Sequence, residues 1–317
     1  MQYLRSMVLL SCLTLFTGCS ATSNTTWIEN PVVQQMTIDS IGNCRGVFVW
    51  EGSVWLYGDR EGEGIIRRLE WVGPNGDEPM LVDTGETYEL KLYRNRYARN
   101  DDTEKLPRNP IPHPTGITYH PDYDTFIGNT IDQQGTIYAI HYLGLTESGS
   151  LDDWIMNKVV DDLANNGTRP EFVRYNNKWV IATADYGNEK NQLRLYDPDK
   201  LKVASKTSDE GVLVAAFDCG PYVQSLHWID SEQTLVLAQN QTSGLGYRLT
   251  LLKFGDGSEP PIVDRVIDLG YPTDELEGFA IVAPGWAVMC SARQENNVSI
   301  IRWPIESART RPPGTTP

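Results

Sequence analysis

Apolar and polar residues alternate along most of this chain in short runs, interrupted every few positions by Gly, Asn, Asp or Pro. Successive side chains on a strand point to opposite faces, so such runs predict half-buried β-strands joined by tight turns. Five stretches repeat one order: a strand, a tight turn, an apolar strand, a polar hairpin and a third strand. Their first strands are read at Gly46–Trp50, Gly116–His120, Glu171–Tyr175, Ser225–Ile229 and Gly278–Val282. The apolar anchors Phe48, Ile117, Phe172, Leu226 and Phe279 are, by difference of their numbers, 69, 55, 54 and 53 residues apart. A unit of that size, built from antiparallel strands, is the pattern of propeller blades. The expected fold is all-β, a five-bladed β-propeller, with a six-bladed alternative if the long first gap hides another blade.

That gap, Asp83 to Pro114, carries an insertion. A strand is expected over Tyr88–Tyr93, then a charged, Pro-rich loop from Asn95 to Pro114. In the second gap, Asp152–Ala164 reads as an outer strand or a short helix. The fifth unit runs out after Trp303 and lacks an outer strand. The stretch Pro31–Asp39, with Val32, Val33, Met36 and Ile38, is the candidate to supply it. An N-terminal strand closing the last blade would remove an exposed sheet edge.

The first residues follow a different pattern. Met1 to Arg5 is basic, Met7 to Phe16 is an apolar run too short to span a bilayer, and a small residue, Gly18, precedes Cys19. Gly before Cys resembles the bacterial lipobox, although Phe16 stands where Leu is usual. The resemblance implies cleavage after residue 18, lipidation of Cys19 and residence in the bacterial cell envelope, at the outer membrane or an extracytoplasmic membrane face, with contact to the membrane through the anchor only. The expected organisation is a signal peptide over 1–18, a tether over 19–30, a propeller over 31–305 and a disordered tail over 306–317.

Composition narrows the partners. The 317 residues carry 42 acidic and 27 basic side chains, a formal net charge of −15 and a pI near 4.7. Removing Arg5 with the leader takes the charge from −15 to −16. Nucleic acid and anionic lipid are bound by clustered Lys and Arg, so this balance argues against both. The insertion is locally basic and aromatic, with Tyr93, Arg94, Arg96, Tyr97 and Arg99, residue types favoured at protein interfaces. Beyond Cys19, the mature chain keeps Cys44, Cys219 and Cys290, which allow at most one intramolecular disulfide.

Motifs for phosphate loops, nucleophile elbows, paired zinc histidines and EF-hand loops are absent. A site would have to form where the blades meet the central channel. The starts of the first strands bring Arg45, Thr115, Glu171, Gln224 and Glu277 there. The hairpins between second and third strands bring Asp59, Asn129, Asp132, Asp185, Asn240 and Arg293. Carboxylates converging on a ring axis suit a hard cation such as Ca²⁺. Leu276-Glu277-Gly278-Phe279 resembles a strand start of phytase-like and SMP-30/gluconolactonase-like propellers, and the last two blades resemble calcium-activated nucleotidases. The likeness covers a few residues per blade. It implies Glu171, Glu277 and Asp185 as ligands of Ca²⁺.

Two functions are therefore expected from different classes. The first is an exported, lipid-anchored binding or scaffold protein of the envelope, whose partner is an envelope protein or a small ligand. The alternative is a calcium-dependent hydrolase, of lactonase or phosphoesterase type, with its site at the channel mouth.

Overall fold

Five sheets, each built on four antiparallel strands, stand around one axis as a five-bladed β-propeller. The computed structural model describes residues 24–29, 31–73, 78–93, 108–241, 246–255, 259–270 and 274–303. Blade one is Asn43–Trp50, Ser53–Arg60, Glu63–Val72 and Met80–Glu89. Blade two is Pro114–His120, Asp124–Ile131, Gln134–Ile140 and Ile155–Asp161. Blade three is Glu171–Tyr175, Lys178–Ala184, Gln192–Tyr196 and Leu213–Asp218. Blade four is Val223–Ile229, Thr234–Gln241, Gly246–Lys253 and Ile262–Leu269. Blade five is Leu276–Ala283, Trp286–Ser291, Val298–Arg302 and, from the N-terminal side, Val32–Met36. Each inner strand touches the inner strand of the next blade, and that of blade five touches that of blade one, so the ring closes at five.

The closing strand is the expected one: Val32–Met36 pairs antiparallel with Val298–Arg302. Two details differ from the sequence expectation, and one open choice is decided. The outer strand of blade one is Met80–Glu89, not Tyr88–Tyr93. The chain leaves the sheet at Glu89 because Leu90 and Leu92 turn into the core between blades one and two. Asp152–Ala164 supplies an outer strand, and a separate helix, Tyr142–Ser148, precedes it. Part of the expected tether, Asn24–Ile28, is a strand that pairs in parallel with Ile262–Leu269 at the edge of blade four. Cys19, Arg94, Arg96, Tyr97, Arg99 and residues 304–317 lie outside the described residues.

The core explains why the middle strands read as nearly continuous apolar runs. Every blade is covered on both faces, so alternate side chains feed two different cores. Leu56 packs between blades five and one, while its neighbours Trp55 and Tyr57 pack between blades one and two. Five clusters of buried residues result, one at each interface between adjacent blades. Cys44, Cys219 and Cys290 are free thiols, and Cys44 and Cys290 share the cluster where the ring closes.

Closure needs one glycine. A Cβ on Gly278 would lie 2.7 Å from the Val47 nitrogen and 2.8 Å from the Gly46 Cα, both backbone atoms of blade one. Gly278→Ala therefore forces the inner strands of blades five and one apart. Overpacking of this kind costs about 1–3 kcal/mol, and urea unfolding should show a lower midpoint at unchanged slope. Unaltered stability would mean that the two strands are not held at contact distance.

Candidate functional site at the channel mouths

Four of the five inner strands share one irregularity. Register slips between Cys44 and Gly46, between Pro114 and Gly116, between Val223 and Ser225, and between Leu276 and Gly278. A β-bulge re-aims the extra residue, here Arg45, Thr115, Gln224 and Glu277. All four line one cavity of about 220 Å³ at this end of the channel, together with His113, Thr130, Asn166, Arg169, Tyr186 and Glu275.

Blade three has no such bulge. Its contribution is Arg169, two residues ahead of Glu171, where the chain approaches through Pro170. Pro170 fits because blade two offers glycines beneath it: a Cβ on Gly116 or Gly128 would lie 2.6 or 2.5 Å from the Pro170 Cδ. Thr115 Oγ1 donates to the Thr168 carbonyl and ties the same segment down.

A chain of charged groups crosses the cavity. The Asp59 carboxylate accepts from Arg45 Nε at 2.7 Å and from Asn43 Nδ2 at 2.9 Å, and contacts His113 Nδ1 at 2.9 Å. Burial opposes its charge, but these hydrogen bonds outweigh burial and hold the carboxyl well below the usual carboxylate range. Arg45 Nη1 donates onward to Glu277 Oε1 at 3.1 Å. Burial pushes the Glu277 carboxyl up to about 8, and the Arg45 guanidinium draws it partly back.

Arg169 is the exception. It is 5% exposed. Its Nη2 donates to Gln224 Oε1 at 3.3 Å and its Nη1 to the Asn166 carbonyl at 3.5 Å. Its guanidinium lies 5.1 Å from the centre of the Tyr186 ring. Its Nε is buried with no hydrogen-bond acceptor, and it makes no ion pair among the described residues. Burial lowers its pKa to about 10, with Glu277 opposing, so it remains a cation at neutral pH.

A second cavity, of about 190 Å³, opens towards the far ends of the inner strands. Its lining includes Trp50, Tyr119, His120, Trp179, Trp228, Glu171 and His227. Three backbone amides there donate to a side chain of the preceding blade. Phe172 N donates to Thr118 Oγ1 at 3.0 Å, Trp228 N to Glu171 Oε1 at 3.2 Å, and Ile281 N to His227 Nε2 at 3.1 Å. Burial pushes the Glu171 carboxyl up to about 8 and takes His227 down to about 4.

The three carboxylates named for calcium are thus distributed, not gathered. Glu277 lines the first cavity and is held by Arg45. Glu171 lines the second. Asp185 is fully buried and takes Arg194 bidentately, at 2.6 and 3.1 Å, with the Asn165 and Gln192 amides completing its shell. Among the described residues, no group of three or more His, Cys, Asp or Glu side chains could hold a metal ion. Of the strand-start residues singled out from sequence, Arg45, Thr115, Gln224 and Glu277 do meet. Arg169 was missed because its blade departs from the common register, and only Pro170 in the sequence hinted at that departure.

No protein-family model and no curated protein matches this chain. Solved structures resemble it at the level of the fold. The PQQ-bound aldose sugar dehydrogenase of Streptomyces coelicolor is 16% identical, with 88% of this chain and 82% of that chain covered and a TM-score of 0.45. A putative oxidoreductase (glucose dehydrogenase) of Thermus thermophilus is 12% identical, over 84% and 98% of the two chains, with a TM-score of 0.46. The hydrazine synthase of Kuenenia stuttgartiensis is 9% identical over 82% of this chain, which spans 58% of the length of that one, with a TM-score of 0.43. At these identities the likeness concerns propeller architecture, not chemistry.

Proposed function

We propose that this protein is an exported, lipid-anchored propeller of the bacterial cell envelope that binds a small hydroxylated carboxylate at the first mouth of its channel. The observation that carries this reading is Arg169: a buried guanidinium without a carboxylate partner among the described residues, lining a polar cavity. A buried charge is costly unless it is paired and hydrogen-bonded, and guanidinium matches a carboxylate with two parallel hydrogen bonds. The neighbouring Thr115, Thr130, Asn166 and Gln224 are neutral donors and acceptors suited to hydroxyl groups. Export and lipidation are supported by the Gly18-Cys19 pattern behind a short apolar run.

Thermal unfolding of the mature chain with glucuronate, set against glucose, tests the binding site. At about ten times Kd the ligand adds about 1.4 kcal/mol, so the midpoint should rise by a few degrees with glucuronate and stay put with glucose. Arg169→Met should abolish the shift, and so should Tyr186→Ala if the first variant folds poorly. No shift at millimolar glucuronate, or an equal shift in both variants, would remove the reading.

A further inference from the structure

The second mouth is built differently and takes a different ligand. Trp50 of blade one, Tyr119 of blade two and Trp179 of blade three line the same cavity of about 190 Å³, while the Trp228 ring packs into the core on Phe254 and offers the cavity its backbone amide. Trp50 and Tyr119 meet edge to face with ring centres 5.0 Å apart, and His120 lies 4.8 Å from Trp179. Trp50, Tyr119 and Trp179 are half-buried, so the aromatic wall is open to solvent. Glu171 lines the same space. One of its oxygens accepts the Trp228 amide, and no lysine or arginine pairs with it among the described residues.

Charges around this mouth have one dominant sign. The turns at the ends of the inner strands carry Glu51, Asp122, Asp124, Asp230 and Glu232, against Arg174 and Lys178. Arg174 is already spent: it lies 3.5 Å from Asp230 and 4.8 Å from the Trp179 ring. Neither His120 nor His227 adds positive charge at neutral pH, because burial lowers the pKa of both. Aromatic faces attract cations through the ring quadrupole, most strongly when water is excluded, and apolar methyl groups fill such a cage better than a hydrated ammonium does.

We infer that the second mouth binds a small alkylammonium cation, held against Trp50, Tyr119 and Trp179 with the Glu171 carboxylate as its counter-ion. Burial keeps that carboxyl protonated in the empty site, so the cation binds with release of the proton to solvent and should bind more tightly above about pH 8 than at about pH 7. The cage shares no residue with the first mouth, so the two ligands are independent.

Trp50 and Trp179 provide the readout. Choline chloride is titrated into the mature protein at constant ionic strength while tryptophan fluorescence is followed. Its uncharged isostere, 3,3-dimethylbutan-1-ol, is the control. Choline should give a saturable change, and the isostere should bind roughly tenfold more weakly or worse. Glu171→Gln and Trp50→Leu should each weaken choline at least about tenfold, with circular dichroism confirming that each variant is folded. Arg169→Met, at the other mouth, should leave choline binding intact.

Co-sedimentation with phosphatidylcholine vesicles, set against phosphatidylglycerol vesicles, separates two sources of the same chemistry. Binding of free choline alone assigns a solute. Binding of phosphatidylcholine vesicles as well assigns a lipid headgroup, and the cation site stands in either case. Absence of a saturable choline signal, equal binding of the isostere, or full binding by Glu171→Gln would overturn it.

Discussion

Arg194→Met should destabilise the protein by about 3–5 kcal/mol, the usual cost of stranding one partner of a buried ion pair. Asp185 is fully buried, and Arg194 supplies two of the four hydrogen bonds to its carboxylate. The remaining two donors are backbone amides, of Asn165 and Gln192, and cannot neutralise the charge. Since Asn165 precedes blade three and Gln192 opens its third strand, the carboxylate fastens the approach segment of that blade to its hairpin. The thermal midpoint should fall by on the order of 10 °C. A double variant, Arg194→Met with Asp185→Leu, should recover part of the loss, because it removes the stranded charge but orphans the two amides. A single variant within about 1 kcal/mol of the parent would show that Asp185 is not the closed structural site described above.

Raising the pH from about 6.5 to 8 should weaken the fold, and Glu171→Gln should flatten that dependence. Burial lifts the Glu171 carboxyl from 4.5 to about 8 in the folded protein. The folded state therefore keeps a proton that the unfolded chain has already lost. Stability from this group is fully present below about 4.5 and drains away as pH rises through about 8, by at most about 1.4 kcal/mol per pH unit. Water in the open cavity reduces the figure. His227 works in the opposite sense at lower pH. With its folded value near 4 and its ordinary value 6.5, its contribution is present above 6.5 and lost as pH falls through about 4. The unfolded imidazole is still about half protonated at pH 6.5 and about nine-tenths neutral by about 7.5, so the interval from about 7.5 to 8 isolates the carboxyls. Glu277 adds to the slope, with Arg45 opposing, so the Gln variant should lose about one proton's worth and not the whole. Urea unfolding at several pH values counts the protons. Parallel slopes for parent and variant would show that Glu171 is ionised at neutral pH.

Much of the architecture was legible because blades repeat. Each unit carries its own turn residues and its own apolar anchor, so the period could be read without knowing how the units pack. The closing role of Pro31–Asp39 was legible for a complementary reason: the fifth unit ends one strand short, and an unpaired edge demands a partner. What could not be read was depth. Alternation predicted half-buried strands, but a blade has neighbours on both sides, and only the ring decides that Leu56 and Trp55 enter different cores. The strand over Asn24–Ile28 escaped for a related reason, since its partner Ile262–Leu269 is far away in sequence.

The candidate sites divide along the same line. Arg45, Thr115, Gln224 and Glu277 were placed correctly from sequence because they hold equivalent positions in equivalent repeats. Asp185 and Glu171 were grouped with Glu277 by residue type, by expected position at the channel mouth and by resemblance. Residue type does not say whether a carboxylate already has a cation: Glu277 has Arg45, Asp185 has Arg194, and Glu171 has none among the described residues. By itself the sequence determined the repeat, the closing strand and the acidic charge, because these follow from local pattern and composition, whereas the choice of five blades over six was made by the closing of the ring. Tertiary structure alone decided that Arg169 stands without an ion pair among the described residues at one mouth of the channel and Glu171 among aromatic rings at the other. Pairing of charges is a matter of distance between blades, and no local pattern encodes it.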